Sequence, residues 1–243
     1  MFFFEDKRML YVILGILVLM SIINLSSNSL LGLVLTIPGV IIAITFHEFA
    51  HAFAAVKLGD NTPRNQGRLS LNPLNHMDPF GFVLLIFAHI GWGKPVEINP
   101  RNFDKKISMD TGEAIVSLAG PAMNFVLAIL FTIIYVTILK FNPGILLTQI
   151  GMLIMTIIQY TAIVNIGLGV FNLIPLPPLD GSKIFKRFLS YNAKRWIEEK
   201  EQIFYIVFLV LWITGLAGTI ISPIINAIYR GISWVVLSAF GIL

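Results

Sequence analysis

His47-Glu48-Phe49-Ala50-His51 places two imidazoles four positions apart, with a carboxylate directly after the first. On an α-helix positions i and i+4 share a face, so both rings can converge on one divalent ion. The intervening Glu then reaches the water that such an ion activates, which is the machinery of hydrolysis: the carboxylate takes a proton from water and later returns it to a leaving amine. The cluster lies inside an apolar stretch. An ionisable side chain there costs about 2.5–3.5 kcal/mol or more at mid-bilayer unless it is paired or faces a cavity. Three polar residues lining a helix interface or a proton path are the alternative, but that leaves all three to be satisfied without a metal.

A catalytic metal site takes three protein ligands and keeps one position open. The chain has no cysteine, which excludes thiolate ligands, disulfides and cysteine nucleophiles together, so the third ligand must come from His76, His89, Asp60, Asp78, Glu97 or Asp180. His76 and Asp78 fall in a polar loop that favours solvated side chains, and His89 lies in a short apolar segment beside Trp92. Asp180 is the best choice. Pro175, Pro177 and Pro178 precede it, stopping a helix and freeing backbone carbonyls that membrane depth tolerates only beside a cavity or inside protein.

The elements that must position these residues are membrane-spanning helices. Of 243 residues 56% are apolar and only 12% charged, too few charges to solvate a globular surface. Stretches 9–25, 30–58, 113–139, 145–174, 203–221 and 224–239 are long and apolar enough to predict about six transmembrane helices in a single all-α polytopic membrane domain covering 1–243. Residues 80–92 are apolar but too short to cross; they predict a re-entrant segment, or with the residues up to 98 a β-hairpin. On that topology fifteen of the 17 Lys and Arg share one side, leaving Lys140 and Arg230 for the other. The bias places both termini in the cytoplasm of a multi-pass cell-membrane protein, and it explains the net charge of +4 without nucleic acid.

Three motifs together resemble the site-2 protease family of intramembrane zinc metalloproteases: His47-Glu48-Phe-Ala-His51, Gly120-Pro121-Ala-Met-Asn124, and Asn172-Leu-Ile-Pro-Leu-Pro-Pro-Leu-Asp180-Gly181. The segments beginning Gly67-Arg-Leu-Ser and Gly91-Trp92-Gly-Lys are also family-like. The match covers about residues 36–185, flanked by a helix at 9–25 and two at 203–239. The resemblance implies one zinc ion bound by His47, His51 and Asp180, Glu48 as general base, and Asn172 near the metal. Larger family members insert a PDZ domain or append a CBS pair; no loop here has room for the first and no tail for the second, so a compact member is expected. Its acidic motif reads Pro-Leu-Asp-Gly where other members have Asn-Pro-Asp-Gly.

The function expected is hydrolysis of a peptide bond within or near the transmembrane segment of a membrane-protein substrate, in contact with membrane lipids. Such a helix must unwind locally to be cut, because its carbonyls are already bonded. Residues 80–98, with Gly81, Gly91, Trp92 and Gly93, could offer a strand edge to hold it, or could be a packing plug. Asn124, one turn beyond the helix-bending Pro121, could furnish a polar wall for substrate and water. Asn172 could donate to the developing oxyanion or brace the backbone before Asp180. The alternatives are a metal transporter or a catalytically silent scaffold using the same His and Asp residues, and the CAAX-type peptidases, which take a Glu as third ligand. Oligomeric state is not encoded in any of these patterns.

Overall fold

A computed structural model describes residues 27–79, 81 and 93–243. The predicted helix at 9–25 lies outside these residues, as does most of the predicted hairpin, including His89, Gly91 and Trp92.

Three long helices form the centre: α1 (Ser27–Lys57), α3 (Met109–Phe141) and α4 (Gln149–Asn172). Each pairs its backbone polar groups internally, which hydrocarbon demands of any spanning segment. They pack against one another. Small residues set the distance of approach: a Cβ on Gly39 of α1 would stand 2.9 Å from the Thr161 Cα of α4, and Ala43, Ala52 and Ala55 are fully buried. Side-chain oxygens start the later helices, with Ser108 accepting from Thr111 N–H and Thr148 from Gly151 N–H. Leu118, Val126, Ile129, Leu130 and Ile133 of α3 face outward, the surface a lipid solvent calls for.

The chain between α1 and α3 is sewn to the end of α1. Gly59 turns it with a φ of 105°, and short α2 (Thr62–Asn65) follows. Asp60, wholly buried, accepts from the backbone and hydroxyl of Thr62, from Asn99 N–H at 2.7 Å and from the Asn102 amide. Burial alone would raise its pKa, but these bonds outweigh it and hold the carboxyl below the usual range. The stabilisation is therefore present above the unfolded-chain pKa of about 3.9 and is lost as pH falls through the lower folded value. Asp60→Ala is expected to destabilise the protein by about 1–3 kcal/mol at pH 7, because it removes the carboxylate on which these four hydrogen bonds converge. Thermal unfolding of both proteins at pH 7 and below pH 3 checks this, and a deficit that does not shrink in acid contradicts it.

Beyond α4 come α5 (Asp180–Lys186), α6 (Tyr191–Glu199), α7 (Glu201–Ile213) and α8 (Leu216–Ala239). Arg187 and Lys194 tie this region to Thr111 and Asp110 at the start of α3. Among the described residues four helices are long and apolar enough to cross a membrane: α1 from Leu30, α3, α4 and α8.

Two expectations are revised. The last two predicted spans are divided at Gly215, with its left-handed φ of 75°, and α8 runs on through Pro223. A glycine at positive φ breaks a helix outright, whereas a proline only removes one bond and bends it. What remains as α7 is 13 residues, about 20 Å, short of the hydrocarbon thickness. Second, α8 ends beside the end of α3, where Lys140 donates to the Phe240 carbonyl. The C-terminal end therefore lies at the face of the bundle opposite Lys57, not on the same face. The hairpin expected over 80–98 falls mostly outside the described residues, among which there is no β-strand and an isolated antiparallel bridge joins Met77 to Gly93.

Candidate metal centre

α1 presents His47 and His51 one turn apart on the face that meets α3. Both rings are almost wholly buried. Gly120 makes the contact possible, since a Cβ there would stand 2.5 Å from His51 Nε2 and 2.7 Å from His47 Cε1. Asp180 arrives from α4 by a tight reversal. Leu176 N–H bonds to the Ile174 carbonyl, Leu179 N–H to Leu176, and Pro177-Pro178 is cis. Gly181 lies against the Leu173 and Ile174 carbonyls, where a Cβ would stand 2.4 Å from both oxygens. The Asp-Gly pair thus needs its glycine so that the first turn of α5 can sit on the end of α4.

These three elements bring three donor atoms together. His47 Nε2 and His51 Nε2 are 3.0 Å apart, and each is 3.1 Å from Asp180 Oδ2. The other ring nitrogens face oxygens: His51 Nδ1 lies 2.7 Å from the Val116 carbonyl, and His47 Nδ1 lies 2.6 Å from Asn124 Oδ1. Carbonyl oxygens only accept, so each Nδ1 carries a hydrogen, and when the rings are neutral, as metal ligands must be, each Nε2 presents a lone pair. In that state two lone pairs and a carboxylate oxygen face one another in a buried pocket, an arrangement that a cation among them relieves. Asp180 Oδ2 accordingly has no hydrogen-bond partner. The separations are close to the roughly 3.3 Å that bonds of about 2.0–2.2 Å to a tetrahedral ion require, and two nitrogens plus one oxygen suit zinc. The residues therefore fit a zinc ion, and no other group of three His, Asp or Glu among the described residues does.

Glu48 follows His47 and turns toward the loop, its Oε2 accepting from Val96 N–H at 3.1 Å. That loop can come so close because Gly93 has no side chain; a Cβ there would stand 2.8 Å from the His76 carbonyl and 3.2 Å from Ile44.

The other candidate ligands lie elsewhere. Asp60 is the buried staple already described, Asp78 accepts from Gly81 N–H, and Glu97 accepts from the Gln66 amide. His76 is fully buried rather than solvated, with its Nε2 donating to the Ser70 carbonyl at 2.6 Å. Asn172, at the end of α4, donates one amide hydrogen to the Leu168 carbonyl of its own helix. Asn124 is not a substrate-facing wall. It is fully buried behind His47, and its amide also donates to the Ala43 carbonyl and to Asn165 Oδ1. Sequence reasoning passed over Asn165, whose only signal was an amide inside an apolar span.

A multi-pass helical fold with a buried His-His-Asp donor set and an adjacent glutamate defines a membrane-embedded metallohydrolase. Comparison with known proteins narrows this. The model of peptidase family M50 matches residues 144–215. The chain is 37% identical to zinc metalloprotease YwhC of Bacillus subtilis, by the name that protein carries, over 77% of this chain and 84% of the relative. It is 33% identical to Rip2 of Mycolicibacterium smegmatis, over 74% and 67%, and 26% identical to MJ0611 of Methanocaldococcus jannaschii, over 87% and 98%. Both are also named as zinc metalloproteases. No solved structure matches the chain. The chain belongs to peptidase family M50, the site-2 protease family, and is an intramembrane zinc metalloprotease.

Proposed function

We propose that His47 Nε2, His51 Nε2 and Asp180 Oδ2 hold the zinc ion, and that Glu48 is the general base for hydrolysis of a peptide bond within or near a substrate's transmembrane segment. The convergence of three donor atoms, with both Nδ1 atoms turned outward to oxygens that can only accept, carries this reading. Bound zinc supplies Lewis-acid activation of water and of the substrate carbonyl. Glu48 accepts the proton released as water adds to the carbonyl carbon, and delivers it to the nitrogen as the C–N bond breaks. Val96 N–H keeps the carboxylate beside the site.

The residues after Gly93 suit a partly unwound substrate. Residues 94–98 run without helix or turn past Glu48, and such a stretch can hold an added strand through main-chain hydrogen bonds. Gly91 and Trp92 precede it in the chain and belong to the same proposed substrate track. Asn172 stands eight positions before Asp180 in sequence, and an oxyanion role needs its second amide hydrogen, the first being given to Leu168.

The excess of Lys and Arg assigns the Lys57 end of the bundle, with the N-terminus, to the cytoplasm. Phe240 then falls on the opposite face. A metal-transport path would need a succession of donor groups, whereas the described residues gather theirs at one place.

Metal removal tests the proposal. Purified protein should contain one zinc per chain, lose cleavage of a model single-span substrate on prolonged chelation, and regain it on adding zinc. Cleavage that persists in metal-free protein would refute the reading.

A further inference from the structure

Behind the metal centre, Asn124 and Asn165 are wholly buried amides that hydrolysis does not use. Burying a primary amide is costly unless its hydrogens and oxygen are all satisfied. Two backbone carbonyls decide how this pair is oriented, because a carbonyl can only accept. The Thr161 carbonyl lies 2.8 Å from Asn165 and must face its Nδ2, which turns Asn165 Oδ1 toward Asn124. Asn124 Nδ2 meets that oxygen at 3.0 Å and the Ala43 carbonyl at 3.1 Å, using both of its hydrogens. Asn124 Oδ1 is then left facing His47 Nδ1 at 2.6 Å.

An oxygen in that place demands a hydrogen on Nδ1, and a neutral imidazole has only one to give. His47 Nε2 is thereby kept free for the ion. Flipping the Asn124 amide would set an N–H against Nδ1 and favour the opposite tautomer, with a hydrogen in the metal's place. Asn165 Oδ1 opposes that flip.

We propose that Asn165 is a positioning residue that fixes the tautomer of His47 through Asn124 and so prepares the site for zinc. This rests on His47 being a zinc ligand, as proposed above. Partners at one remove from a metal ligand typically change metal affinity by about 10–100-fold. With the Ala43 carbonyl still opposing the flip, the lower end is expected.

The test uses the full chain in detergent with nitrogen-15-labelled histidine, comparing wild type, Asn165→Leu, Asn165→Asp and His47→Ala. Zinc affinity is measured against a competing chelator, and the tautomer by long-range proton–nitrogen spectra of metal-free protein, with His47 signals assigned by their loss in His47→Ala. Asn165→Leu is expected to weaken zinc binding about 10-fold and to introduce an Nε2–H signal for His47. A protonated Asp can give its O–H to Thr161 and its carbonyl to Asn124, so Asn165→Asp is expected to restore affinity to within about threefold. Unchanged affinity with Nδ1–H alone in Asn165→Leu would overturn the inference while leaving His47 a ligand. Zinc retained by His47→Ala would instead overturn the ligand assignment. Should Asn165→Leu fail to accumulate, Asn165→Ala is read in the same way.

Discussion

Glu48→Gln is expected to lower the rate of substrate cleavage by about 10²–10⁴-fold with zinc still bound, the range that a positioned general acid–base contributes. The substitution isolates proton transfer. Gln keeps an oxygen that can accept from Val96 N–H, so the loop stays docked, but an amide can neither take a proton from water nor return one to the leaving nitrogen. His47, His51 and Asp180 are untouched, and zinc content should match wild type. Single-turnover cleavage of a model single-span substrate, alongside metal analysis of the same preparation, separates the two quantities. A variant that cleaves within about threefold of wild type would remove Glu48 from the base role.

Asp180→Ala is expected to act on the other quantity, reducing zinc affinity by more than about 100-fold and abolishing cleavage with it. Changes one shell out already cost about 10–100-fold, and this change removes a ligand and the negative charge that offsets the ion. The two histidines would keep their partners at Asn124 and the Val116 carbonyl, so the loss reads the carboxylate rather than a collapsed helix. Competition against a chelator measures it. Unaltered affinity would mean that Asp180 is not a ligand, and His89, outside the described residues, would become the next candidate.

Local patterns made much of the site legible. His47, Glu48 and His51 could be read from one helix because the i, i+4 rule needs no knowledge of what packs against it. Three of the central spans were legible for the same reason: an uninterrupted apolar run long enough to cross must pair its backbone within itself. Asp180 stood out as an acid after a proline run. The end of the chain was harder, because Gly215 and Pro223 both read as breaks and only packing of α8 against α4 and α3 shows which one the chain uses.

By itself, then, the sequence determined that the chain lives in lipid and that one helix carries a hydrolytic metal motif, since composition and helical period are properties of neighbouring residues. Which acid meets that motif, why Gly120 and Gly181 must lack side chains, and that Asn124 and Asn165 stand behind His47 were decided by tertiary structure. Those relations join residues on different helices. In a bilayer the composition does not say which face of an apolar helix turns inward, since lipid tails are as apolar as the protein interior.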